Sequence, residues 1–181
     1  MRNCNTYLLT PTIFPDSRGY FSESFRQDRF EKEVGAKINF VQDNESKSKF
    51  GVLRGLHFQR PPFEQSKLVK VVVGSILDIA VDLRPISKTF GHYFSTILSE
   101  KDKKQVFIPK GFAHGFLTLS KTAIVQYKVD NYYAPQYDSG IKWDDKDLNI
   151  NWQLQKNKIS QPIVSEKDNQ LQTFLEYKNS L

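Results

Sequence analysis

The sequence predicts an all-β sandwich or barrel that carries helices only at its flanks. Three observations lead there. The middle of the chain is a succession of short runs rich in β-branched and aromatic residues, the runs are separated by Gly and Pro turn chemistry, and helix-spaced apolar residues occur only towards the two ends. With 181 residues, 39% of them apolar and 14 of them Phe, the chain is long enough to fill a core, which excludes the disordered and low-complexity classes. Residues 1–181 are expected to form a single domain.

In chain order, Asp28 to Val34 reads as a short helix and Val52 to Gln59 as a strand. Lys67 to Val73 and Ile76 to Leu83 read as strands separated by the two-residue turn Gly74-Ser75, with Gly first, so a hairpin is expected there. Further strands are expected at His92–Leu98, Gln105–Ile108, Gly115–Leu119 and Ala123–Val129, with a turn at Pro109-Lys110-Gly111. Asn149 to Gln161 is rich in Asn, Gln and Lys and reads as a surface excursion. Ser165 to Asp168 resembles an acidic variant of a capping box, and Leu171, Phe174 and Leu175 follow at helical spacing, which predicts a C-terminal helix over about 165–178.

Lys and Arg exceed Asp and Glu by six, a balance that suits nucleic acid, an anionic membrane or a small phosphorylated substrate. The basic residues are scattered, Lys101-Asp102-Lys103-Lys104 being the nearest thing to a run, and no nucleic-acid-binding signature is present. Solvated surface charge is therefore expected, with no nucleic acid as partner. No stretch approaches the length that crosses a bilayer, and the apolar run before Pro11 is too brief for a secretory signal, so no membrane and a cytoplasmic location are expected. The single cysteine, Cys4, precludes an internal disulfide and a thiolate zinc cluster, which suits a reducing compartment.

The chain has three histidines, His57, His92 and His114. Pro109, Gly111 and His114 stand at the spacing Pro-x-Gly-x-x-His, which resembles the second motif of the cupins, a superfamily of double-stranded β-helices. The first cupin motif normally carries His-x-His and a Glu as metal ligands, whereas here His57 is followed by Phe58 and Gln59. Two histidines with no third partner make a poor metal site. An all-β double-stranded β-helix, or cupin jelly roll, with a few peripheral helices and no metal is expected, and any reaction inside it must then run on protons.

More specifically, the chain resembles the dTDP-4-dehydrorhamnose 3,5-epimerases over nearly its whole length. The resemblance is carried by Arg18 to Phe25, Val41 to Asn44, Gly51 to His57, Lys67 to Val69, Asp78 to Arg84, Ile108 to Gly115, Tyr127-Lys128, Tyr132 to Pro135 and Ile141 to Asp145. It implies epimerisation at C3 and C5 of a dTDP-4-keto-6-deoxyhexose, without a cofactor, in dTDP-L-rhamnose-type biosynthesis. Protons next to a ketone are acidified, so inversion needs a base on one face, an acid on the other and stabilisation of the enolate between them.

His57 is the candidate base, since imidazole titrates nearest neutral pH; its bland alternative is a histidine bonded to backbone. Tyr127 is the candidate acid and shares strand parity with Val125 and Val129, so it should point inward; a core tyrosine with one hydrogen bond is the alternative. Lys67 has the parity of Val69, Val71 and Val73 and would project into an apolar interior, where the resemblance places it against the sugar as an enolate stabiliser; an exposed strand-end lysine is the alternative. Asp168 resembles the carboxylate that supports the histidine, although it could simply serve a helix dipole, and Asp78 is its rival. Lys167 beside it would contact substrate.

Arg54 resembles the family's diphosphate ligand. In a regular strand it and His57 would face opposite ways, so a bulge is expected at the intervening Gly55. The resemblance further implies substrate contacts from Arg18, Phe21, Glu23, Gln42, Asn44 and His114, some of them reached from a neighbouring subunit through exchanged N-terminal strands in a homodimer. Tyr133, or Tyr132, could stack on the base, and Asp138 stands, one methylene shorter, where the family has a longer acid. Ser66 also departs from the family's usual Gly. Competing readings are an epimerase of one centre or of another nucleotide-linked 4-keto sugar, a non-catalytic sugar-binding cupin and, more remotely, a metal-dependent oxygenase.

Overall fold

A computed structural model describes residues 6–181; residues 1–5, including Cys4, lie outside the described residues. Twelve strands and three helices follow one another as β1 (Tyr7–Leu9), β2 (Ile13–Asp16), β3 (Gly19–Ser22), α1 (Gln27–Val34), β4 (Gln42–Lys49), β5 (Leu53–Gln59), β6 (Lys67–Val73), β7 (Ser75–Asp82), β8 (Tyr93–Ser99), β9 (Gln105–Ile108), β10 (Phe112–Thr118), β11 (Thr122–Val129), β12 (Asp138–Gly140), α2 (Glu166–Asn169) and α3 (Phe174–Asn179). Two antiparallel five-stranded sheets, ordered β1-β9-β6-β11-β4 and β12-β5-β10-β7-β8, face each other, and β2–β3 forms a separate hairpin. This is the expected double-stranded β-helix.

The strand pattern follows from three apolar layers. Val69, Val71, Ile76, Ala80, Phe112, Phe116 and Val125 fill the space between the sheets. The other face of the second sheet, with Leu53, Leu56, Leu77, Ile79 and Val81, is covered by the C-terminal segment through Trp152, Ile159, Phe174 and Tyr177. Being covered on both faces, β7 is buried at every residue after Ser75, which explains why apolar residues occupy both of its faces. On the first sheet, Phe30 and Val34 of α1 pack on Leu68 and Phe107, and Gly35 ends that helix in the left-handed conformation at φ +75°.

Several local readings are corrected. Lys67–Val73 and Ile76–Leu83 are strands, but not a hairpin: β6 pairs with β9 and β11, whereas β7 pairs with β8 and β10. Gly74, at φ +79°, turns the chain from one sheet to the other, and its N–H donates to Glu100 at 2.8 Å while Ser75 N–H donates to Ser120 Oγ at 2.9 Å. Two apolar-rich strands around a Gly look alike whether they fold back or cross between sheets, and long-range partners decide.

The C-terminal helix is two helices. The chain between them makes a parallel bridge to Ile141 through Gln172, and Thr173 starts α3 with its own capping box to Glu176. Ser165 Oγ does accept from Asp168 N–H at 3.1 Å, yet the Asp168 carboxylate turns into the barrel instead of back to the cap. Within the surface excursion, Trp152 and Ile159 are buried and the Trp152 indole donates to Trp143 C=O at 2.8 Å, so that segment also serves as a core cover.

The expected bulge in β5 is present. His57 pairs with His114 and Arg54 with Phe116, so β5 fits one more residue than β10 into the same span, and Gly55 sits at φ +113°. A Cβ on Gly55 would lie 2.6 Å from Gly115 Cα and 2.7 Å from His114 O. Gly55→Ala should therefore lower stability by about 2–5 kcal/mol, measurable by denaturant unfolding, as backbone strain and overpacking combine.

Candidate active site

At one end of the barrel the apolar filling stops and a cavity of about 370 Å3 opens. His57 reaches it from β5 in one sheet, while Lys67 on β6 and Tyr127 on β11 reach it from the other, so imidazole and phenol stand on facing walls. Tyr133, Asp138 and Lys167 line it as well, together with Gln42, Asn44, Gln59 and Gln65. Among the described residues no group of three His, Cys, Asp or Glu side chains is placed to hold a metal ion, and no helix is long and apolar enough to cross a membrane.

The β5 bulge sets the histidine. It rotates His57 inward and frees the N–H of Gly55, and Asp168 takes up both: Oδ2 accepts from Gly55 N–H at 3.0 Å and Oδ1 lies 2.8 Å from His57 Nε2. The Asp168 side chain is 5% exposed and that of His57 33% exposed. Burial opposes the charged Asp168, but the His57 ring, the Gly55 N–H and Ser165 together hold it below the usual carboxylate range. An ionised carboxylate on Nε2 keeps the proton there, leaving Nδ1 as the ring's free acceptor. Asp78, the rival partner, is bound to His114 instead, at 2.7 Å.

Lys67 enters the barrel as its parity predicts, and it is 8% exposed. Its Nζ makes a long bond to His57 C=O at 3.4 Å. Burial pulls its pKa down from 10.5 to about 8, against the opposing pull of Asp138 and Asp78. Tyr127 packs on the inter-sheet core, and burial raises its pKa while Arg54 draws it down, so the phenol keeps its proton at neutral pH. Arg54 is exposed and donates to Ser48 Oγ at 3.0 Å; it stands near Tyr127 but does not line the cavity.

The mouth is held by a small polar cluster. Asp138 Oδ2 accepts from Lys167 Nζ at 2.5 Å and from Tyr133 OH at 3.2 Å, and this bond to Asp138 raises the Lys167 pKa. Gln42 ties Asn44 at 2.8 Å to the Tyr133 backbone at 3.2 Å. Sequence reasoning missed Gln59, whose amide bonds Phe63 C=O, Tyr132 C=O and Ala134 N–H and so anchors the loop bearing Tyr133. Its parity with His57 was the available signal. Asp130 was also missed; it accepts from Ser66 N–H at 2.6 Å, just before Lys67.

Besides Arg54, four expected substrate contacts lie elsewhere within the single chain. Arg18 is ion-paired with Asp16, Phe21 is 67% exposed beside Phe14, and Glu23 is paired with Arg29, all outside the cavity lining. Among the described residues the β2–β3 hairpin pairs only with itself, so no strand pairing there carries these residues to the site. His114 is buried and held on Asp78, behind the cavity instead of in its wall.

An imidazole and a phenol on facing sheets, with a buried lysine beside them, form a candidate proton-transfer site in a cupin-type barrel. The family model for dTDP-4-dehydrorhamnose 3,5-epimerase matches residues 4–176, and the chain belongs to that family. It is 51% identical over 161 residues to the dTDP-4-dehydrorhamnose 3,5-epimerase of Methanothermobacter thermautotrophicus, covering 89% of this chain and 85% of the relative. The enzyme of the same name from Shigella flexneri is 48% identical over 169 residues, with 93% and 91% covered. Among solved structures, dTDP-6-deoxy-D-glucose-3,5-epimerase from Legionella pneumophila, in complex with dTDP-4-keto-L-rhamnose, superposes with a TM-score of 0.90 at 43% identity, covering 96% of this chain and 89% of the other.

Asp168→Asn keeps the size of the clamp but loses one of its two acceptors. It should cost about 1–3 kcal/mol of stability. Because the folded-state pKa of Asp168 is depressed, the carboxylate's contribution is complete above pH 3.8 and fades as pH falls through the lower folded value. The variant's unfolding free energy, followed by denaturant titration from pH 7 to pH 2, should lack that part of the acid loss.

Proposed function

We propose that this chain is a cofactor-independent isomerase that epimerises C3 and C5 of a dTDP-4-keto-6-deoxyhexose, as its family name states. The observation carrying the proposal is the placement of His57 and Tyr127 on facing sheets around one cavity, with Lys67 beside them. His57, oriented by Asp168, removes the proton next to the ketone; the Lys67 ammonium stabilises the negative charge that develops on the keto oxygen; Tyr127 returns a proton from the other side. The Legionella relative's complex with dTDP-4-keto-L-rhamnose supports this substrate class. A cavity of about 370 Å3 suits a hexose, with the diphosphate towards Arg54 and Lys167 and the base beside Tyr133.

The same reading makes the protein a homodimer. Ile13, Phe14, Tyr20 and Phe21 are exposed on the β2–β3 hairpin, and seating it on a second copy would bury them and bring Arg18, Phe21 and Glu23 to that copy's site. Gln42, Asn44 and Asp138 are assigned to substrate contact from within the chain, and His114 to shaping the cavity from behind. A reducing cytoplasmic setting fits a chain with one cysteine.

Incubation with the keto sugar in deuterated water, followed by NMR or mass spectrometry, should give exchange at two carbons. Exchange at one would make the protein a single-centre epimerase, and exchange at neither would end the proposal. His57→Ala and Tyr127→Phe should each lower turnover by about 10²–10⁴-fold, whereas a sugar-binding protein would lose little.

Turnover should also depend on pH through Lys67. Its pKa is lowered to about 8, so the ammonium is complete below that value and lost as pH rises through it. The pH profile of kcat should fall on its alkaline side near pH 8, and Lys67→Arg, which keeps its proton, should move that fall upward even if overall activity drops.

A further inference from the structure

The proposed mechanism leaves Asp78 without a role. Asp78, on β7, is fully buried; its Oδ2 lies 2.7 Å from His114 Nε2, while its Oδ1 is buried with no hydrogen-bond partner. A carboxylate half satisfied in a barrel interior is costly unless an opposite charge compensates it. The chain contains a matching deficit. Lys67 projects from β6 into the same interior with a single long contact, to His57 C=O, and His57 is the cross-strand neighbour of His114, which holds Asp78.

We propose that Asp78 is a positioning residue for the reaction, the buried counter-charge that keeps Lys67 an ammonium, with His114 fixing where that charge stands. The charged and titratable side chains facing Lys67 are His57 on β5, Tyr127 on β11, Tyr133, Asp138 on β12 and Lys167 on α2 around the cavity, with His114 on β10 and Asp78 on β7 behind it. Of the two aspartates, Asp138 already shares its Oδ2 between Lys167 and Tyr133 at the mouth. Asp78 lies where solvent does not reach, so its field is screened less. Both aspartates raise the proton affinity of Lys67, Asp138 the more and Asp78 in addition, against the larger effect of burial. The catalytic value of this arrangement rests on the epimerase reading; its physical test does not.

Lysine-selective NMR can follow Lys67, its signal assigned by its loss in Lys67→Met. In Asp78→Asn the titration midpoint should fall by about one pH unit, a tenfold loss of proton affinity, and an unmoved midpoint in the folded variant overturns the proposal. The Lys67→Met, Asp78→Asn double variant removes both charges together and should melt above the temperature that the two single changes predict additively; a melting point at or below that sum also overturns it, and this comparison holds even if Asp78→Asn alone folds poorly. Neither measurement uses substrate, so failure of the epimerase reading would show separately, in the exchange experiment. With substrate, Asp78→Asn should move the alkaline fall of kcat to lower pH with little change in KM, which a merely structural role would not do.

Discussion

The site depends on one carboxylate holding two donors from the same bulge. Asp168 binds the His57 ring through one oxygen and the Gly55 N–H through the other. The bulge alone would leave a buried N–H without a partner, and the histidine alone would be free to choose its tautomer and rotamer. With Asp168 in place, the backbone irregularity and the ring orientation stabilise each other. Gly115 is part of the same device: a Cβ there would come within 2.7 Å of Arg54 C=O, so β10 can pass the bulge only as glycine.

Around that anchor the cavity distributes its charges by depth. The outermost cluster, Asp138 with Lys167 and Tyr133, is partly wet and exchangeable, a suitable place to meet an anionic group. Further in, Lys67 is desolvated enough for its charge to act strongly on a neighbouring oxygen while its proton is held less tightly than in water. Tyr127 remains neutral through the same effect, since burial disfavours the phenolate. Desolvation thus keeps the phenol protonated, whereas Lys67 stays an ammonium below about pH 8 in spite of it.

Much of the barrel was legible because buried strands have to show their period. Lys67 and Tyr127 could be placed inside from parity with Val69, Val71, Val125 and Val129, and the conflict between Arg54 and His57 located the bulge at Gly55. What stayed hidden was long-range or polar. β4, Gln42–Lys49, is an edge strand of alternating polar residues and carries no apolar signal at all. The crossing at Gly74 mimicked a hairpin, and a continuous helical stripe concealed the break that lets Gln172 pair with Ile141. Asp168 was named from the family pattern but could not be chosen over Asp78 by spacing, because both aspartates hold a histidine and only the fold reveals which one.

The partners His57 and Asp168 are 111 residues apart, and the second of them arrives with the segment that also seals the outer face of the sheet carrying β5. Stripping that cover from the sheet would therefore also withdraw the carboxylate that fixes the ring, so shielding of the outer face and orientation of the imidazole are lost together.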